Sequence, residues 1–180
     1  MTIWVALFRG INVGGKNQLP MKDLSAALEE IGCTGIKTYI QSGNVVFSKS
    51  GSKAPQLARL VGKTVFKKHG LEPKVMLLTV KELEKAVKLN PFPAAESDPK
   101  SLHFFFLAEK PISPDEDSLN EIKTESESCS LKGSTFYLHA PDGVGHSRLA
   151  ARAEKLLGVS ATARNWRTVS ALLDLAKQEK

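Results

Sequence analysis

The chain has 180 residues, of which 42% are hydrophobic, and a net charge of +6 at neutral pH. This apolar content is enough for one medium-sized core or two small cores, and it excludes a disordered or fibrous chain. The long apolar runs, residues 3–8 and 104–108, are far too short to cross a bilayer. Because the first residues also lack the basic segment and cleavage site of a signal peptide, we expect a cytoplasmic protein with no membrane partner.

The charge is unevenly distributed along the chain. Residues 113–130 contain six acidic residues and one lysine, a net charge of −5, which leaves +11 for the rest of the chain. The positive charge on the rest of the chain favours anionic partners such as phosphates, nucleotides or nucleic acid. A solvated surface that only aids solubility explains the same charge, and on charge alone it is the better explanation.

The first half predicts the element order β-α-β-β-α-β. A strand at 3–8 leads into a glycine-rich loop at 9–20, and apolar residues at helical spacing follow from Met21 to Ile31. Strands at 36–40 and 45–48 flank a polar turn, a second helix ends before Gly70, and a strand at 74–78 completes the unit. Thr79 and Glu82 form a capping box for a short connecting helix.

The second half repeats this order after a linker-like segment rich in proline, residues 90–99. A strand at 102–107 precedes a helix announced by Ser113 and Pro114. Strands at 128–131 and 135–139, a helix near 149–157, an extended stretch at 159–162 and a last helix follow in turn. The pattern predicts an α+β fold with two ferredoxin-like β-α-β-β-α-β units in tandem and a C-terminal helix. The predicted domain limits are 1–89 and 100–180.

In such a unit the third strand runs back between the first and the second. The end of the first strand therefore lies beside the turn between the second and third strands. This places the loop "RGINVGGKN" next to the turn "QSGN". In the second half the same geometry brings "APDGVGHSR" and "ATARNWRT" to one edge of the sheet.

Four motifs, "RGINVGGKN", "TYIQSGNVVF", "GHSRL" and "ATARNWRTV", resemble the bacterial family called domain of unknown function 1697 in their order and spacing. In the third motif, Arg148 stands where the family typically has lysine and His146 where arginine is frequent. The resemblance implies a duplicated ferredoxin-like fold, and it implies no particular activity.

The glycine-rich loop matches a phosphate-binding P-loop only in part. Asn17 follows Lys16, where a P-loop needs Ser or Thr for magnesium, and Pro20 delays the helix. An ATPase or GTPase is therefore a poor interpretation. Backbone N–H groups with Arg9 and Lys16 can instead cradle an anion, or the glycines simply allow positive φ in a tight turn.

The polar turn has two interpretations as well. Gln41, Ser42 and Asn44 bind a ligand, or they clamp the glycine loop, and we favour the clamp because turn side chains usually satisfy local backbone groups. Ser42 makes a poor nucleophile, since no histidine lies near it in the motif.

The last motif contains arginines on both sides of a helix start. Trp166 opens an apolar helical stripe and is predicted to be a core anchor, with Asn165 as the N-cap. Arg164 and Arg167 then lie at a helix N-terminus, where the dipole disfavours cations unless an anion compensates. This placement is the sharpest functional indication in the sequence.

Neither the two cysteines nor the four histidines have the spacing of a metal site, so we expect two free thiols, no metal and no cofactor. The leading hypothesis is binding of a small phosphorylated or otherwise anionic ligand. A nucleic-acid-binding module and a purely structural or self-associating protein are the alternatives, and catalysis and oligomeric state stay open. The candidate ligand-binding residues are Arg9, Asn12, Gly14, Gly15, Lys16, Asn17, Gln41, Ser42, Gly43, Asn44, Ser147, Arg148, Arg164, Asn165 and Arg167.

Overall fold

The computed structural model describes residues 1–179. By its internal packing the chain divides into two compact units. Unit 1 comprises Met1–Lys85 together with the chain from Ser170 onward, and unit 2 comprises Ala86–Val169. The limits predicted from the sequence, 1–89 and 100–180, differ from these units mainly in placing the whole last helix with the second half.

Residues 1–79 of unit 1 form a four-stranded antiparallel sheet with two helices. Its elements are β1 (Thr2–Arg9), α1 (Met21–Glu30), β2 (Thr34–Tyr39), β3 (Asn44–Lys49), α2 (Ala54–His69) and β4 (Lys74–Thr79). The strand order is β2-β3-β1-β4, so β3 lies between β1 and β2 as predicted. This order decides the site, because it brings the end of β1 beside the turn that starts β3.

The core of unit 1 lies between one face of the sheet and the two helices. Alternate residues of β1, among them Trp4 and Phe8, point to this face, as expected for the two-residue period of a strand. The helices contribute residues spaced three or four apart, which form one buried stripe on each helix. This core comprises Trp4, Ala6, Phe8, Leu24, Leu28, Val45, Phe47, Leu57, Val61 and Val65, among others.

The segment between the two repeats is structured. Helix α3 (Val80–Lys88) begins with the predicted capping box, in which Thr79 N donates to the Glu82 carboxylate at 2.7 Å. Residues Pro93–Ser97 then form a 3₁₀ helix. The Phe92 ring lies 6.2 Å from the His139 ring, and Asn90 Nδ2 donates to Glu96 at 2.9 Å. The linker interpretation of residues 90–99 is therefore wrong, because its aromatic and amide side chains pack locally.

Unit 2 repeats the architecture. Its elements are β5 (Leu102–Leu107), α4 (Glu116–Ile122), β6 (Ser128–Lys132), β7 (Thr135–His139), α5 (Arg148–Leu157) and β8 (Ala161–Asn165), followed by the start of α6 (Trp166–Lys177). The strand order β6-β7-β5-β8 matches that of the first sheet. The predicted α+β fold with two tandem ferredoxin-like units and a C-terminal helix is confirmed.

Two local predictions in unit 2 need correction. The N-cap of α4 is Asp115, whose carboxylate accepts from Ser118 N at 3.0 Å, and not Ser113. The last strand extends to Asn165, three residues further than predicted, because its backbone pairs with β5 as far as His103. Within residues 1–179, every helix is too short or too polar to cross a bilayer.

Candidate functional site

The tip of the glycine-rich loop is a small closed hairpin. Lys16 N donates to Val13 O at 3.0 Å, and Gly14 and Gly15 between them have φ of +57° and +75°. Positive φ at both central residues is the geometry of a two-residue I′ turn, which Gly-Gly adopts readily. Because the Lys16 N–H is used inside this turn, the loop is not the open cradle of amides that the P-loop comparison suggested.

Two asparagines hold the base of this hairpin. Asn12 and Asn17 both have positive φ, +53° and +51°, a conformation that asparagine tolerates better than most residues. Asn12 N donates to Asn17 O at 3.0 Å, and Asn17 Nδ2 donates to Gly10 O at 2.7 Å. The loop therefore has a fixed shape before any ligand arrives.

The glycine loop and the polar turn are neighbours, as the strand order predicted. Asn12 Nδ2 donates to Gln41 O at 2.7 Å and to Leu19 O at 2.8 Å, while Asn12 Oδ1 accepts from Leu19 N at 2.7 Å. The Phe8 N–H donates to Gly43 O at 2.8 Å. Asn12 is thus the residue that joins loop to turn, and these bonds occupy both of its amide protons.

The buried side chain of Asn44 stabilises the turn by hydrogen bonds. It is fully buried at the start of β3, opposite Leu7 of β1, and its Nδ2 donates to Ser42 Oγ at 2.8 Å and to Tyr39 O at 3.3 Å. The clamp that we favoured, in which turn side chains hold the loop, runs in the opposite direction, because a loop side chain holds the backbone of the turn. Asn44 shapes the turn, and Asn12 attaches the loop to the backbone at Gln41.

A cleft of about 330 Å³ lies on the other side of the glycine loop. It is bounded by the loop and by the connection between α2 and β4, and its lining residues are Arg9, Gly10, Ile11, Asn17, Gly70, Leu71, Glu72, Pro73 and Lys74. Arg9 and Lys74 are direct cross-strand partners at the ends of β1 and β4. The predicted residues Arg9 and Asn17 line this cleft, whereas Lys16 does not.

Lys74 and Glu72 were missed by the sequence reasoning, although a signal was available. Once β4 is taken to run antiparallel to β1, the first residue of β4 must lie near the last residue of β1. Pairing the two strands residue by residue would have placed Lys74 opposite Arg9.

The second predicted site lies at one edge of the sheet in unit 2. The register pairs His139 with Leu102 and Asn165 with His103, so the ends of β7 and β8 both flank the start of β5. Ser147 is buried and caps α5 by accepting from Ala150 N at 3.0 Å. The residue after it, Arg148, is exposed. The structure gives Ser147 a structural role at this edge.

The last motif folds as predicted at the helix start. Asn165 Oδ1 accepts from Thr168 N at 3.1 Å, which confirms the N-cap, and the Trp166 ring lies 5.7 Å from the Phe104 ring. Trp166 is only half-buried. It therefore packs at the margin of an aromatic cluster formed by Phe104, Phe106 and Tyr137, and it is not a fully enclosed core anchor.

The two arginines of this motif differ in environment. Arg164 is half-buried on β8, burial lowers its pKa to about 10, and its Nη1 donates to Ala163 O at 2.8 Å. A pKa of about 10 still leaves the guanidinium charged at neutral pH. Arg167 is exposed. The anion that we expected to balance these two charges stays a prediction.

His103 is a buried group that the sequence analysis placed only within a strand. It is 8% exposed, and its Nδ1 lacks a hydrogen-bond partner within the described residues. Burial lowers the pKa of His103, and an interaction with the Ser101 backbone opposes this in part. The imidazole is therefore neutral at physiological pH.

The cysteines are both free, with Cys33 buried and Cys129 half-buried, and burial raises the pKa of each thiol. Such thiols are mostly protonated and unreactive at neutral pH. Among residues 1–179, no three His, Cys, Asp or Glu side chains lie close enough to hold a metal ion.

Together, the two antiparallel sheets of order β2-β3-β1-β4 and β6-β7-β5-β8 define a protein of duplicated ferredoxin-like units, with a loop-edge cleft in the first. Residues 1–137 match the family described as "Protein of unknown function (DUF1697)", and the chain belongs to this family.

The solved structures that are similar to this chain include the conserved bacterial protein SP0830 from Streptococcus pneumoniae. The identity is 25% and the TM-score is 0.70, with 97% of this chain and 98% of that chain covered. The search of curated proteins found no match.

Proposed function

We propose that unit 1 binds a small anion of the phosphate class in the cleft between the glycine loop and the α2–β4 connection. The observation that carries the proposal is the direct pairing of Arg9 with Lys74 at the ends of β1 and β4, both lining the cleft. A guanidinium and an ammonium at adjacent strand ends give this opening two positively charged groups that one bound anion can contact together.

The chemistry of the residues that line the cleft limits the class of ligand that fits. A guanidinium offers two parallel N–H groups that match a phosphate or carboxylate, while an ammonium acts as a point charge. Glu72 also lines the cleft and offsets part of the positive charge, which disfavours a highly charged polyanion. Ile11, Leu71 and Pro73 provide apolar wall. A volume of about 330 Å³ is at the small end of ligand pockets, so a compact phosphorylated metabolite fits best.

The fixed shape of the glycine loop supports binding. Asn17 and Gly10 line the cleft, and they are joined by the 2.7 Å bond from Asn17 Nδ2 to Gly10 O. A wall that is already ordered loses little conformational entropy when a ligand binds. Asn12 and the turn thus contribute to affinity without touching the ligand.

The test is a thermal-shift and calorimetric titration with inorganic phosphate, followed by a panel of phosphorylated metabolites. A ligand that binds only the folded state raises the melting temperature by mass action. We expect Arg9→Gln and Lys74→Gln to abolish the shift. The matched control is Lys16→Gln, which removes an exposed positive charge from the same loop but outside the cleft. Loss of binding in the control alone, or no shift with the unaltered protein, would contradict the proposal.

We also propose that the protein works in the cytoplasm. The support is the pair of free thiols at Cys33 and Cys129, which is typical of a reducing compartment. Fractionation of cells that express the tagged protein tests this, and recovery from a secreted or membrane fraction would contradict it.

A further inference from the structure

The exposed face of helix α2 carries a line of positive charge. Arg59, Lys63 and Lys67 are all exposed and follow each other at four-residue spacing. Residues four apart lie on the same helix face, one turn above the other, about 6 Å apart along the axis. Within residues 1–179 none of the three forms a salt bridge, although Glu30, which is paired with the neighbouring Lys68, also interacts electrostatically with Lys67.

The composition of α2 strengthens this pattern. The helix has 16 residues and contains no acidic side chain at all, although surface helices commonly alternate the two signs of charge. A helix face with only positive charges repels itself and is not explained by solubility alone. Its charge complements a partner with regularly spaced negative charges.

Two apolar side chains border the line of cations. Phe66 is 54% exposed and Leu60 is 43% exposed. With 3.6 residues per turn, Phe66 lies on one side of the line and Leu60 on the other. An exposed aromatic ring beside a row of cations is the combination with which proteins bind single-stranded nucleic acid, since the ring stacks a base while the cations contact phosphates.

A membrane surface fits this face less well. A helix that lies in the membrane interface presents a continuous apolar stripe to the lipid. Here the cations occupy the centre of the exposed face, and the two apolar residues are separated by them. If Phe66 and Leu60 were buried in lipid, the three cations between them would have to be buried as well.

We propose that the exposed face of α2 binds the backbone of single-stranded nucleic acid, with Arg59, Lys63 and Lys67 on successive phosphates and Phe66 stacked on a base. This surface is separate from the anion cleft and does not depend on it. Gly70, which caps the C-terminus of α2 with φ of +65°, also lines the cleft, so the C-terminal end of this helix borders that opening.

The first test measures salt dependence. Binding of a labelled single-stranded oligonucleotide of roughly a dozen nucleotides is followed by fluorescence anisotropy at several salt concentrations. Each phosphate contact contributes about 0.7 to the slope of log K against log salt for a single strand. The triple variant Arg59→Gln/Lys63→Gln/Lys67→Gln should flatten this slope by roughly 2.

The matched control removes three exposed lysines from the next helix, in the variant Lys81→Gln/Lys85→Gln/Lys88→Gln. It changes the net charge by the same amount, and we expect it to leave the slope unchanged. Equal flattening in both variants would overturn the proposal, because the protein would then attract the strand through its overall charge. Absence of binding by the unaltered protein at low salt would also overturn it.

The second test concerns Phe66. Phe66→Ala should weaken binding roughly 5- to 150-fold, the value of one stacked base, and Phe66→Tyr should restore it. Phe66→Leu keeps an apolar side chain without a ring, so it should resemble alanine with the oligonucleotide. Full binding by Phe66→Leu, or preference for anionic phosphatidylserine vesicles over the oligonucleotide, would overturn the proposal in favour of a lipid surface.

Discussion

The junction between the glycine loop and the polar turn rests on one side chain, and replacing Asn12 is the most direct test of the site architecture. Asn12→Ala removes three hydrogen bonds, those to Gln41 O, Leu19 O and Leu19 N. Each contributes on the order of 1 kcal/mol. Alanine at φ of +53° costs about 1 kcal/mol more. The expected loss in the free energy of unfolding is about 4 kcal/mol.

A glycine variant separates the two contributions. Asn12→Gly loses the same three hydrogen bonds but accepts positive φ without strain, so we expect a loss of about 3 kcal/mol. Asn17→Ala is the control from the same loop, with one exposed hydrogen bond and φ of +51°. It should lose about 2 kcal/mol by the same reasoning.

The assay must follow unit 1 by itself. The two tryptophans lie in different units, Trp4 in unit 1 and Trp166 in unit 2. In a Trp166→Phe background, urea denaturation monitored by fluorescence reports on the buried Trp4. Hydrogen exchange over residues 10–19 and 41–44 completes the measurement. A loss below about 1 kcal/mol for Asn12→Ala, or faster exchange confined to residues 10–19, would refute the role of Asn12 as the junction.

Three further predictions follow from single buried contacts. Gly43→Ala should destabilise unit 1 by about 2–4 kcal/mol in urea denaturation, because the new Cβ would lie 2.6 Å from neighbouring side chains. The control is Gly15→Ala, where φ is nearly the same at +75° but the Cβ would point into open space, and it should lose only about 1 kcal/mol. Equal losses in the two variants would contradict the packing argument. Because burial lowers the pKa of His103 below its ordinary 6.5, the unfolded chain binds a proton more readily than the folded chain. The free energy of unfolding should therefore fall as the pH drops below about 6.5. When denaturation is compared above and below this pH, the fall should be smaller in His103→Phe, which lacks the titrating imidazole. The Tyr137 hydroxyl donates to Ala86 O at 2.6 Å, so Tyr137→Phe should lower the free energy of unfolding of unit 2 by about 1 kcal/mol. An unchanged denaturation midpoint would show that this hydrogen bond makes no net contribution to stability.

The sequence sufficed for the fold because its signals are local. A continuous apolar run marked β1, helical spacing marked α1 and α2, and the capping box at Thr79 was found as predicted. Strand order then followed from the β-α-β-β-α-β pattern. Even the contact between the glycine loop and the polar turn was within reach, because it depends only on which strands are neighbours.

The details of the site depend on distances that sequence patterns do not encode. Whether Asn12 or Asn44 joins the loop to the turn depends on which amide lies within 3 Å of Gln41 O. The cleft requires Lys74 and Arg9 to be in register across two strands, and these two residues are 65 positions apart in the sequence. The closed hairpin at Gly14–Gly15 did have a signal, since a Gly-Gly pair is a typical two-residue turn.

The polar residues around the turn stabilise a strained backbone conformation at Ile40, the residue just before it. Ile40 has φ of +48°, a conformation that costs a β-branched residue on the order of 1–2 kcal/mol, and it is 55% exposed, so burial does not compensate. The carbonyls on both sides of it are held, Tyr39 O by Asn44 and Gln41 O by Asn12. Two amide hydrogen bonds of about 1 kcal/mol each are enough to keep the backbone in this conformation. A plain Asn-Gly turn would close the hairpin without offering Gln41 O to the loop. The strained turn therefore presents the carbonyl that Asn12 of the loop binds, and the loop forms one wall of the cleft.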